Sequence, residues 1–137
     1  MWWRYALLSA FFASLTAILA KKGVTGISSD LATAIRTVII LVIAWGIVLA
    51  RNEEKGLPLL SRNNWIFLLL SGVATGLSWI FYFKALQSGK VSQVAPLDKL
   101  SVAITIVLAA IFLHETITIK TAIAAILIIS GTLVLIF

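Results

Sequence analysis

Five stretches of this chain are each close to twenty residues long and almost wholly apolar: about Trp2 to Ala20, Leu31 to Ala50, Trp65 to Leu86, Val94 to Leu113 and Ile119 to Phe137. A helix of about 20 apolar residues spans the hydrocarbon core of a bilayer. In that core every backbone amide must bond within its own segment or within a closed barrel. The runs are continuous and do not alternate with a period of two, which selects helices over barrel strands. Hydrophobic residues make up 61% of the 137, against about 45–50% in soluble domains, so little is left for a soluble domain. The expectation is an all-α integral membrane protein of five transmembrane helices, a single domain over residues 1–137, multi-pass in the cell membrane.

The gaps carry turn and cap chemistry. Ser28-Ser29-Asp30 precedes the second run and Asn63-Asn64 the third, so Asp30 and Asn64 are predicted as N-caps. Short connections make neighbouring helices antiparallel. Trp2, Trp3, Tyr5 and Trp65 fall at run ends, where amphipathic rings favour the headgroup zone. Cleavage of the N-terminus is not expected: the first run is longer than a signal h-region and enters Lys21-Lys22 without a small-residue cleavage site. The absence of cysteine excludes disulfides and thiolate metal sites.

The net charge of +6 rests on basic residues scattered through loops and helix ends. No compact basic domain of the kind that binds nucleic acid is formed, and membrane lipid headgroups are the expected partner. An odd number of spans puts the termini on opposite sides. Arg4, Arg51, Lys55, Arg62 and Lys120 then share the N-terminal side, and Lys21, Lys22, Lys84 and Lys90 the other. Five against four barely orients a chain under the positive-inside rule, and adding Arg36 and Lys99 to their nearer side reverses the balance. The expectation is insertion both ways and pairing as an antiparallel homodimer. The alternative is one topology fixed by signals outside this count.

Arg36, Asp98 and Lys99 are charges kept inside the spans. Such a charge costs at least about 2.5–3.5 kcal/mol on lenient insertion scales, so it ordinarily faces a protein interior or a wet cavity. Arg36 and Lys99 each stand five residues after the expected start of their spans, on the same side, or roughly 7–8 Å below the helix ends. A single cluster of the three is expected, with a net positive charge suited to an anionic or zwitterionic group. The architectural alternative is that Pro96 opens the fourth helix, Asp98 sits in its first turn, Lys99 and Arg36 reach for the headgroups, or Arg36 neutralises Asp98.

Positions four, three and four apart share one helix face. Ser71, Thr75, Ser78 and Tyr82 have this spacing in the third span, and Val94, Asp98, Ser101 and Thr105 in the fourth. Thr33, Arg36 and Thr37 make a narrower patch in the second. Three polar stripes in lipid are expected to face one another, although Ser and Thr hydroxyls also join helices or bond to their own backbone. Gly72 and Gly76 permit close helix approach and are taken as packing residues, as is Pro96, with Trp79 a cavity wall beside Tyr82. His114 and Glu115 are adjacent, so they point about 100° apart on a helix, and no second ligand cluster accompanies them. No metal or other cofactor is expected. No phosphate loop, zinc-protease spacing or nucleophile elbow occurs, and an enzyme is not expected.

Ala85-Leu86 with Gly89, Val94-Ala95-Pro96-Leu97, Glu115 at the end of the fourth helix and Gly131 in the fifth together resemble the second half of an EamA repeat, from the drug/metabolite transporter superfamily. The whole chain resembles the small five-helix bacterial and archaeal members, in which one repeat is the entire protein. The resemblance implies a fold of one EamA repeat. Larger relatives carry two such repeats in opposite orientation, so two inverted copies of a lone repeat would recreate the ten-helix form. The family usually has Gly before that Glu, where this chain has His114, and no family role passes to the histidine. Asp98 and Lys99 look typical of the small members, so the superfamily does not identify their ligand.

The function these readings favour is secondary transport of a small polar or anionic metabolite by alternating access. Arg36, Trp79, Tyr82, Asp98, Lys99, Ser101 and Thr105 are the expected substrate-binding residues. Arg36 and Lys99 would attract the substrate charge, and Asp98 would hold them when the site is empty. The alternatives are a flippase subunit for a lipid-linked sugar and a non-transporting assembly or regulatory subunit.

Overall fold

Each of the five apolar runs forms helix in the computed structural model, which describes residues 1–136; Phe137, the last residue of the fifth expected span, lies outside the described residues. In chain order the helices are α1 (Trp2–Gly23), α2 (Ser29–Ala50), α3 (Arg62–Ser88), α4 (Val91–Asp98), α5 (Leu100–Phe112) and α6 (Ile119–Ile136). A 3₁₀ helix, Glu53–Leu59, fills the gap between α2 and α3. There is no strand among the described residues. Five helical stretches are long and apolar enough to cross a membrane, α4 and α5 together making the fourth.

The caps sit earlier than the sequence suggested. Ser28, with extended backbone, accepts the amide proton of Leu31 at 3.2 Å, so Ser28 caps α2 and Asp30 lies inside its first turn. There the carboxylate meets the positive end of the helix dipole. Ser61 likewise accepts from the Asn64 amide at 3.2 Å, so Asn64 is a helical residue of α3 and not its cap. In both cases the helix starts before the apolar run because a serine two or three residues upstream captures a free amide.

The fourth span is not one continuous helix opened by Pro96. Helix α4 begins at Val91, holds Pro96 within it, and stops at Asp98. Proline removes one amide and crowds the carbonyl a turn earlier. At Lys99 the bonds tighten to the three-residue type: its amide donates to Pro96 at 2.9 Å, and Val102 donates to Lys99 at 3.0 Å. At this turn, whose backbone stays right-handed, Asp98 ends one helix while Ser101 and Thr105 belong to the next. Helix α5 ends at Phe112, capped by Leu113, and His114 just beyond it adopts φ 54°, the left-handed conformation that glycine supplies most cheaply.

Residues Leu19–Gln87 form one compact unit, and Met1–Ile18 with the chain from Ser88 onward form another. In the first, the end of α3 is tied to the α1–α2 connection. The Lys21 ammonium donates to the Leu86 carbonyl. The Gln87 amide donates to the Ile27 carbonyl at 2.6 Å and more weakly to Val24 at 3.5 Å. These bonds satisfy loop carbonyls that a bilayer would leave without partners. Val24, Ser29, Thr33, Phe83 and Leu86 are buried at the same end. Gly26, at φ 79°, makes the turn.

In the second unit α6 packs on α4 and α5. Ala103 and Thr132 are its small buried residues, as expected where helix backbones approach closely in a membrane. The Thr132 hydroxyl donates to the Ile128 carbonyl at 2.7 Å and lies 3.5 Å from that of Pro96. Nearly all the large aliphatic side chains of both units are exposed, an amount of apolar surface that calls for lipid or another chain against it.

Candidate functional site

Arg36 lies two turns into α2, about 10 Å from its start. It faces a groove of about 410 Å³ lined by α2 and α3. Thr33, Arg36, Thr37 and Ile40 contribute from α2. From α3 come Leu68, Ser71, Gly72, Thr75, Gly76, Trp79 and Phe83. The residues on α2 fall three and four apart, as one helix face requires. On α3 the pairs Ser71/Thr75 and Gly72/Gly76 form adjacent rows.

The guanidinium carbon of Arg36 stands 3.7 Å from the centroid of the Trp79 ring and 5.4 Å from that of Phe83. Trp79 meets Phe83 edge-on at 5.5 Å and Tyr82 at 5.7 Å. An aromatic face attracts a cation by about 2 kcal/mol when both are desolvated, which offsets part of the cost of keeping the charge at this depth. The offset is incomplete. Nη1 of Arg36 is buried without a hydrogen-bond partner among the described residues, and no carboxylate lines the groove. A buried donor left unsatisfied costs about 1–3 kcal/mol, more when charged. The arrangement is a positive groove without a counter-charge in its lining, suited to an oxyanion.

The threonines are held the same way. Thr33, Thr37 and Thr75 donate their hydroxyl protons to the carbonyls of Ser29, Thr33 and Ser71, each at 2.8 Å. Such back-bonding fixes the side chain and keeps the hydroxyl off lipid.

Of the expected substrate-binding residues, the structure joins Arg36 and Trp79 in this groove, with Tyr82 against the tryptophan. Asp98, Lys99, Ser101 and Thr105 belong to the other unit. There Lys99 and Asp98 form an ion pair at 3.6 Å, their side chains 56% and 38% exposed, and Ser101 and Thr105 are exposed. Gly72 and Gly76 line the groove, and a Cβ built on either meets nothing within 4 Å. Their missing side chains leave the groove open. Thr33, Thr37, Ser71 and Thr75 had been visible as stripes without being assigned to the site, and Phe83 is a further wall. Ser78 does not line the groove.

The sequence pattern of the EamA-like transporter family matches residues 1–137. The chain belongs to that family. Among similar proteins is one from Sinorhizobium sp, described as an uncharacterized transporter in the cobO 3′ region. It is 45% identical over 134 residues, covering 98% of this chain and 95% of the relative. An uncharacterized protein of Methanocaldococcus jannaschii is 31% identical over 83 residues, 61% of each chain. No solved structure matches. Membership in the EamA-like family, with five membrane-length helices, makes this a multi-pass membrane transporter protein and points away from catalysis.

Proposed function

We propose that the chain is a secondary transporter that moves a small polar or anionic metabolite across the cell membrane by alternating access, working as an antiparallel homodimer. The observation that carries this reading is the Arg36 guanidinium, held over Trp79 in a groove that no carboxylate lines. An anionic group is what such a site lacks. The Asp98–Lys99 ion pair at the α4–α5 break is a second element. Its carboxylate holds the ammonium in the empty state and releases it to a substrate anion, supplying the differential interaction that a conformational switch requires. The exposed apolar helices and the near-balanced loop charges favour a second, inverted copy as the missing half.

The test is flux of anionic solutes into proteoliposomes holding the whole protein. Arg36→Ala and Asp98→Asn are expected to lower uptake at least about tenfold, since each removes a charge-assisted contact. Unchanged flux in both variants, each still folded by circular dichroism and gel filtration, would sink the reading.

A further inference from the structure

We infer that the groove between α2 and α3 selects a hydroxylated monocarboxylate, a carboxylate whose other polar groups are neutral hydroxyl donors. The inference rests on the transporter reading and narrows the chemistry of its substrate.

The acid group follows from how Arg36 is held. A guanidinium is planar, with its donors arrayed in that plane as a fork that matches a carboxylate. The Trp79 ring occupies one face of it at 3.7 Å. A ligand therefore meets the guanidinium on the side that Trp79 leaves open, through donors other than the buried Nη1.

The hydroxyls follow from the threonines. Each hydroxyl owns one proton and two lone pairs. Thr33, Thr37 and Thr75 have all spent that proton on backbone carbonyls at 2.8 Å. Toward the groove they can only accept, so a ligand that satisfies them must donate.

The neutrality of those donors follows from charge. The lining holds one cation and no carboxylate. An ammonium here would face the guanidinium with no counter-charge in a medium that screens poorly, whereas a hydroxyl donates at no such cost. The volume of about 410 Å³ lies at the lower end for small-molecule pockets, and leaves room for a sugar-acid-sized solute.

Binding to the whole protein in detergent micelles, read by tryptophan fluorescence and calorimetry, decides it. Four probes separate the features: gluconate, hexanoate without hydroxyls, sorbitol without an acid, and zwitterionic serine. Gluconate is expected to bind at least about tenfold more tightly than each of the others, because a site built to pair with hydroxyls rejects analogues that leave it unpaired. Thr37→Val and Thr75→Val are each expected to weaken gluconate about three- to tenfold, the effect of one hydrogen bond, and to leave hexanoate unchanged. Thr37→Ser restores the hydroxyl and should restore gluconate affinity. Hexanoate or serine binding as tightly as gluconate would overturn the inference, and so would failure of gluconate to bind. If hexanoate alone binds and is lost in Arg36→Ala, the transporter reading survives without the hydroxyl selectivity. If no anion is carried and Arg36→Ala changes nothing, both fall.

Discussion

The guanidinium of Arg36 lies flat enough against Trp79 to place its central carbon 3.7 Å from the ring centroid, and this contact holds a charge where the bilayer opposes one. The ring offsets part of the cost of that charge, so Trp79→Leu should cost more stability when Arg36 is present than in an Arg36→Met background. For Arg36→Met and Trp79→Leu the coupling energy is expected to be about 1–2 kcal/mol, read from unfolding in mixed micelles. Strict additivity of the two changes would show that the contact stores no energy.

A second expectation concerns the tie at the end of α3. Gln87 gives its amide protons to the carbonyls of Ile27 and Val24. Gln87→Leu keeps the bulk and removes both bonds, at about 1–2 kcal/mol. Hydrogen exchange across Val24 to Leu31 should quicken while that of α6 does not. Unaltered protection in the α1–α2 connection would count against this tie.

Much of this architecture is legible in the residues alone, because a bilayer enforces helix wherever about twenty apolar residues run together. The patch of Thr33, Arg36 and Thr37 was also readable, since spacing on a straight helix fixes a common face. What the residues hid has three causes. The break at Lys99 follows a proline, and Pro96 in an apolar helix is as compatible with a first turn as with an interior position. On α3 the hydroxyl stripe runs on to Ser78, whereas the groove takes only Ser71 and Thr75 from it and adds the Gly72/Gly76 row. Glycine marks a cavity by what it lacks, and no polarity pattern registers that. Gln87 carries no periodic signal at all; a lone amide near a helix end gains meaning only when the loop it bonds comes into place.

His114 supplies a prediction from backbone geometry. Its φ of 54° belongs to the left-handed region, which disfavours residues with a Cβ by about 1–2 kcal/mol, although histidine tolerates it better than most. Glycine removes that cost and loses about 0.5–1 kcal/mol through its freer unfolded chain. His114→Gly should thus be neutral or stabilising by up to about 1 kcal/mol. His114→Val, with a branched Cβ, should destabilise by at least about 1 kcal/mol. A large loss in the glycine variant would show that the imidazole itself is needed.

The cap of α2 can be assigned the same way. Ser28→Ala should cost about 1 kcal/mol, the ordinary value for a lost N-cap. Asp30→Asn, which only weakens an interaction with the helix dipole, should cost about 0.3–1 kcal/mol and fade in salt. If Asp30→Asn proved the more damaging and was insensitive to salt, the aspartate would be more than a dipole partner.

The last expectation bears on assembly. The chain has no cysteine, so single cysteines can be introduced cleanly at Thr25, between α1 and α2, and at Leu59, between α2 and α3. Leu59 is 84% exposed and Thr25 is also exposed. One helix separates the two positions, which sets them on opposite sides of the membrane in any single orientation. Near-equal loop charges give insertion little preference. An impermeant maleimide applied to intact cells is therefore expected to label a fraction of each variant, and permeabilisation to expose the remainder. Complete labelling of one position from outside, with none of the other, would fix a single topology. That outcome would remove the antiparallel homodimer while leaving the Arg36 groove as a site within one orientation.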